Sequence, residues 1–411
     1  MQPVTFAPHA GQSPRLTALP PLSLYIHIPW CLKKCPYCDF NSHEARGEVP
    51  ESRYVEAVIA DLEASVPKVW GRRVHSIFLG GGTPSLFSPR SIDRLLTAAR
   101  TLLPVEADAE VTLEANPGTF EQVKFREFRG AGVNRLSVGI QSFDGARLKA
   151  IGRVHDALEA WRAAEIAMAT FGNVNLDLMY ALPGQNVDGA LTDIRAAVAF
   201  APPHISAYHL TVEPNTLFHR YPPELPGDDE AAAMQEALEA ELGAAGYENY
   251  ETSAFARPGS RSRHNLNYWR FGDYLGVGAG AHSKLSFPDR IVREMRHRQP
   301  AAYQQHAHGG DAIQEAHELG PADIAFEFMM NALRLTEGFA PALFAERTGL
   351  ALAAVEGPLE RAQAAGLLER NAFAIRPTPR GRRFLNDLLG LFLPVPARSS
   401  SRSEAKLPRK V

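Results

Sequence analysis

YIHIPWCLKKCPYCDFNSH, residues 25–43, sets Cys31, Cys35 and Cys38 in the spacing C-x3-C-x2-C, directly after the β-rich run LSLYIHIP that begins at Leu22. These are all 3 cysteines of a 411-residue chain, and an odd, clustered set is not a disulfide framework. On a helix, positions i, i+4 and i+7 would share a face and form a buried cysteine stripe, but Pro36 sits in the middle of the span. Structural zinc takes four protein ligands, and locally only Asp39 or His43 could supply the fourth. Iron–sulfur clusters are held by thiolates, and three thiolates on a four-iron cluster leave one iron open to an exogenous ligand. On spacing alone these readings stand side by side.

Outward from this segment, short β-rich runs alternate with helical patterns. After LSLYIHIP come the helix ESRYVEAVIADLEASV, the strand VHSIFLGG, the helix SPRSIDRLLTAARTLL, the strand EVTLEANP and a helix through Phe128. RLSVGIQ, DALEAWRAAEIAMATF, VNLDLMYAL, LTDIRAAVAF and HISAYHLTV continue the pattern. Strands and helices in strict alternation imply a parallel sheet with right-handed crossovers. A closed barrel of this kind has eight units, so six strands predict an open or partial (β/α)6 barrel of TIM type, α/β in class, with its functional rim at the C-terminal strand ends.

From Pro321 the strands give way to helical patterns, a hairpin LLERNAFAIRPT and a last amphipathic helix RGRRFLNDLLGLFL, an α+β module resembling a winged helix. Between Pro321 and Leu393 8 Arg and Lys balance 8 Asp and Glu, which favours protein packing or partner docking over nucleic acid. The expected divisions are a flexible segment 1–21, a barrel 22–255, an extension 256–320, the module 321–393 and a disordered tail 394–411. Overall the chain is 45% apolar and 22% charged with a formal charge of -3, which excludes collagen, wholesale disorder and a strongly basic nucleic-acid binder. No apolar run reaches the roughly 18 residues of a membrane span. The N-terminus has no signal pattern, so a cytoplasmic, reducing compartment is expected.

Several groups collect at the predicted rim. Gly80, Gly81 and Gly82, followed by Thr83, end the second strand, where glycines allow close backbone approach and could present N–H groups to a carboxylate. Glu114, Gln141 and Asp177 lie in or end otherwise apolar strands, which is costly without a partner. They are satisfied by a ligand, by one another, or by structural ion pairs with Arg135 and Arg153.

The cysteine spacing after a strand in a β/α chain resembles the radical S-adenosylmethionine (SAM) superfamily. YIHIPWC, LGGGTPS, EANPGT, NRLSVGIQSF, GRVH and DLMYALPGQ are similar to the oxygen-independent coproporphyrinogen III oxidase family, over Leu22 to Leu393. That resemblance implies a [4Fe-4S] cluster on Cys31, Cys35 and Cys38, with SAM contacted by Tyr25, Gly81, Gly82, Thr83, Glu114, Gln141, Arg153 and Asp177. True oxidases of the family carry a further cysteine two positions after the third, where this chain has Phe40, and a longer N-terminal segment. Both departures resemble the heme chaperone branch. So does H-N-x-x-Y-W at His264, Asn265, Tyr268 and Trp269, a pattern that implies heme handling. An imidazole can ligate heme iron and an aromatic ring can stack on a porphyrin; the alternative is that His264 and Asn265 hydrogen-bond a loop while Tyr268 and Trp269 anchor packing. The run Gly276, Gly278, Gly280 with His282 reads as backbone close to the cofactor. The implied partners are heme and an unidentified acceptor protein, with transient membrane or respiratory-protein association, and no nucleic acid. The competing activity is oxidative decarboxylation of coproporphyrinogen.

Overall fold

The computed structural model describes residues 14–118 and 122–394; the expectations for residues 1–13 and for the tail from 395 lie outside them. Six strands pair in sequence order and all in parallel: β1 (Leu22–Ile28), β2 (Val74–Gly81), β3 (Val105–Ala115), β4 (Arg135–Gln141), β5 (Val174–Tyr180) and β6 (His204–His209). Most of their residues are buried, as in sheets covered on both faces.

The crossover helices start where local chemistry caps them. Helix Pro89–Leu102 has Ser88 accepting from the Ser91 N–H and Pro89 in its first turn, and it buries Ile92, Leu95, Leu96 and Ala99 along one stripe. Helix Ala157–Thr170 begins with a reciprocal Asp156–Glu159 capping box. Its buried row, Ala160, Ala163, Ala164 and Ala167, is small enough to bring backbone close to the sheet.

The sheet is larger than the expected six strands. β7 (Asp273–Val277) joins beside β1 in parallel, with Leu22 opposite Asp273 and Ile26 opposite Val277. His282–Ser286, Ile291–Arg296 and Ile313–Glu318 then add antiparallel strands, and Ala254–Ala256 with Glu248–Glu251 do the same beyond β6. Among the described residues the result is one twelve-stranded sheet. A buried charge cluster fixes β7 in place: Asp273 meets Lys284 Nζ at 2.9 Å and Arg72 at 2.8 Å, and accepts from Ser286 N–H and Oγ.

The C-terminal module has its own apolar cluster, which includes Phe328, Phe344 and Leu388. Its hairpin forms between Leu368–Arg370 and Ile375–Pro377, while the expected last helix is split into Pro379–Arg383 and Leu385–Gly390. Leu16 belongs to the same cluster and its N–H donates to Pro288 O at 3.0 Å. Around Leu16, therefore, the N-terminal segment is docked rather than loose. Among the described residues no helix is long and apolar enough to cross a membrane.

Candidate functional site

The C-terminal ends of β1–β6 open into a cavity of about 380 Å³ that the three cysteines share with Gly81, Gly82, Thr83, Glu114, Gln141, Arg153 and Asp177. The cysteines do not lie on a helix: Cys31 ends a short strand, and Cys35 and Cys38 follow on a loop. Trp30–Cys31 pairs with His43–Glu44, closing residues 31–43 into a compact excursion, and Cys38 N–H donates to Cys35 O. All three thiols are free and half-buried. Each sulfur has a polar neighbour: Thr83 Oγ1 donates to Cys31 Sγ at 3.6 Å, Arg153 Nη1 to Cys35 Sγ at 3.5 Å, and Ser42 Oγ lies 3.6 Å from Cys38 Sγ. Burial pushes the Cys31 thiol pKa up, against the opposing Thr83 hydrogen bond. Among the described residues no three His, Cys, Asp or Glu side chains converge on one point as a single metal ion requires. Three thiols lining one cavity, with hydroxyl and guanidinium donors beside them, fit a thiolate-bound body such as an iron–sulfur cluster.

The glycine loop does a different job from the one expected. Gly82 N–H donates to Ile28 O and Thr83 N–H to Trp30 O, each at 2.7 Å, and Gly81 N–H donates to Glu114 Oε2 at 3.1 Å. These three N–H groups are spoken for, so they do not form an open anion cradle. What the glycine provides is proximity: a Cβ on Gly82 would lie 2.5 Å from Trp30 O. Thr83 extends the contact, since Asn116 Nδ2 donates to its Oγ1 at 2.8 Å.

Neither acid is paired directly with an arginine. Among the described residues Glu114 and Asp177 form no ion pair; Arg135 instead lies 4.0 Å from Glu110, and Arg153 Nη2 donates to Asn116 Oδ1 and Gly139 O. Burial, reinforced by the nearby Asp177, raises the Glu114 pKa to about 8. Burial also raises Asp177, whose oxygens accept from Ser137 Oγ and Asn175 Nδ2. Two carboxyls held in a cavity without a bonded counter-cation suit a cationic ligand such as a sulfonium bearing an ammonium group. Gln141 ends β4 at φ 66°, in left-handed backbone beside a register shift. Tyr25 stands behind the cavity wall, its OH 3.0 Å from His27 Nδ1 and its ring stacked on Phe78.

His264, Tyr268 and Trp269 lie apart from this cavity, on helix Arg263–Trp269. His264 is 1% exposed and both ring nitrogens are engaged, Nδ1 with Ser76 Oγ at 3.0 Å and Nε2 with Tyr268 OH at 3.2 Å. It stacks on Phe78. Trp269 lies under the Arg334 guanidinium and shares a small cavity of about 140 Å³ with Tyr268. The described conformation gives His264 no free nitrogen for iron, contrary to the expected heme contact. It packs and hydrogen-bonds as an anchor.

Some cavity residues carried no sequence signal of their own. Asn116, which links Thr83 to Arg153, stands in EANPG but looks like a turn residue. Tyr37, Met179 and Tyr208 also line the cavity. The Gly276–Gly280 run lies one layer back: Gly278 N–H bonds Tyr303 OH, and Asn41 Nδ2 of the cysteine loop donates to Ala279 O at 2.9 Å.

Residues 25–197 match the family model for the radical SAM superfamily and residues 319–384 that for the HemN C-terminal domain. The Escherichia coli protein named heme chaperone HemW is 49% identical over 92% of this chain and 100% of its own length. The Bacillus subtilis protein of the same name is 33% identical over 90% of this chain and 99% of its own. Among solved structures, the Escherichia coli coproporphyrinogen III oxidase HemN superposes with a TM-score of 0.77 at 23% identity, covering 91% of this chain and 90% of that one, a likeness of fold. The chain therefore belongs to the radical SAM family that includes the proteins named heme chaperone HemW.

Proposed function

We propose that the protein binds heme and delivers it to an acceptor protein in the cytoplasm, from a scaffold on which Cys31, Cys35 and Cys38 hold a [4Fe-4S] cluster with SAM at the open iron. The observation that carries this reading is full-length similarity to proteins named heme chaperone, 49% identical across the whole Escherichia coli chain. Phe40, standing where the oxidase resemblance calls for a fourth cysteine, supports it.

Such a cluster supplies one-electron reduction of the SAM sulfonium. The chain's own residues set the conditions. Thr83, Arg153 and Ser42 stand beside the three sulfurs and offset thiolate charge. Glu114 and Asp177, giving up their protons as a cation enters, face the cationic part of SAM, while Gly81, Gly82 and Gln141 shape the surrounding wall and Tyr25 packs behind it. The acceptor is a protein of membrane or respiratory systems met transiently.

A second reading, oxidative decarboxylation of coproporphyrinogen, draws support from the HemN-like fold. Anaerobic reconstitution with iron and sulfide, then coproporphyrinogen, SAM and reductant, separates the two. The chaperone reading expects about four irons per chain, lost in Cys31→Ser, and no vinyl product. Sustained vinyl formation would replace it with the oxidase reading.

A further inference from the structure

A second cleft, of about 640 Å³, lies on the other side of the cysteine loop, and Cys38, Asp39, Phe40 and Ser42 wall both it and the cavity. Its far wall is the turn His297–Gln299 that follows strand Ile291–Arg296. The two walls are tied together, since Asn41 Nδ2 donates to Arg298 O at 2.9 Å. Lys34 Nζ stiffens the loop by donating to Phe40 O and Ser42 O.

Three kinds of group meet there. His297 has its backbone fixed by Ala312 O and the Gly280 N–H, and its ring is stacked on His306 at 4.1 Å and 16°. Its nitrogens make no hydrogen bond among the described residues, so an imidazole is held in position with its donor atoms uncommitted. Arg298 is exposed and its guanidinium carries no ion pair among the described residues. Phe40 presents an aromatic face that is 59% exposed. His43 also lines the cleft.

A metal-ligating imidazole, a cation and an exposed ring on one cleft match the three chemistries of heme: iron, propionate carboxylate and macrocycle face. We propose that this cleft, not helix Arg263–Trp269, is where heme docks, with His297 ligating the iron, Arg298 meeting a propionate and Phe40 packing on the porphyrin. The assignment rests on the heme-carrier reading above, and it places the cargo across the Cys38–Ser42 segment from the thiol cavity, with Cys38 on the border of both.

The test is a titration of the reconstituted, cluster-loaded protein with ferric heme, read by Soret position and Kd, in wild type, His297→Ala, Arg298→Glu and His264→Gln. Retained iron–sulfur absorption shows that each variant keeps the site folded. His297→Ala should lose the histidine-ligated spectrum and bind roughly tenfold or more weakly, with added imidazole restoring the spectrum. Arg298→Glu should weaken binding with the ligated spectrum kept, and His264→Gln should match wild type. Wild-type spectrum and affinity in His297→Ala, or loss of ligation in His264→Gln alone, would overturn the cleft while leaving the carrier function intact. Failure of the wild type itself to take up heme would overturn both.

Discussion

At the residue scale, Glu114 is the side chain whose setting has the clearest measurable consequence. Burial and the neighbouring Asp177 raise its pKa from 4.5 to about 8. Between those values the folded chain keeps a proton that the unfolded chain has released, so stability falls as pH rises from 4.5 to about 8. Glu114→Gln in ligand-free protein should flatten that decline, measured as Tm from pH 5 to about 8, with the part due to Asp177 remaining. A wild-type Tm that climbs across this interval would contradict the assignment. Much of the cavity was legible at this scale: thiol spacing named Cys31, Cys35 and Cys38, and a carboxyl inside an apolar strand picked out Glu114 and Asp177. Asn116 was not legible, because an Asn before Pro reads as a turn, and its contacts with Thr83 and Arg153 exist only once three strand ends meet. His264 misled for the complementary reason. Its motif names chemistry an imidazole could do, while Ser76 and Tyr268, which occupy both its nitrogens, are settled by packing across the chain.

At the scale of elements, alternation of strands and helices was enough to order β1 through β6, since each crossover is local in sequence. β7 was missed because DYLGVGAG carries glycines that read as loop, and its partner β1 lies some 250 residues earlier. Tertiary contacts hold it there. Lys284 is 1% exposed and serves Asp273 directly, so Lys284→Met removes one cation from a buried carboxylate and leaves Arg72 as its remaining cationic partner beside the Ser286 hydrogen bonds. That substitution should cost about 3 kcal/mol or more in denaturant unfolding. A cost below about 1 kcal/mol would show that this cluster does not secure the antiparallel extension. The glycine loop after β2 shows the same dependence on neighbours, its N–H groups being taken by Ile28, Trp30 and Glu114.

At the scale of the whole molecule, one twelve-stranded sheet carries both the thiol cavity and the cleft beside it, and a C-terminal module with a separate apolar cluster packs against the extension. The module's eight basic and eight acidic residues between Pro321 and Leu393 balance, which suits packing and protein partners rather than a polyanion. The Cys38–Ser42 loop makes the arrangement a single device, because the same residues border the thiols and the proposed cargo site. Whether this radical SAM scaffold carries heme is decided by an anaerobic heme titration of the cluster-loaded chain, followed by mixing with an apo heme-binding trap. A heme carrier gives a Soret change that saturates at about one heme per chain and then passes to the trap; a featureless, non-saturating titration would rule heme carriage out.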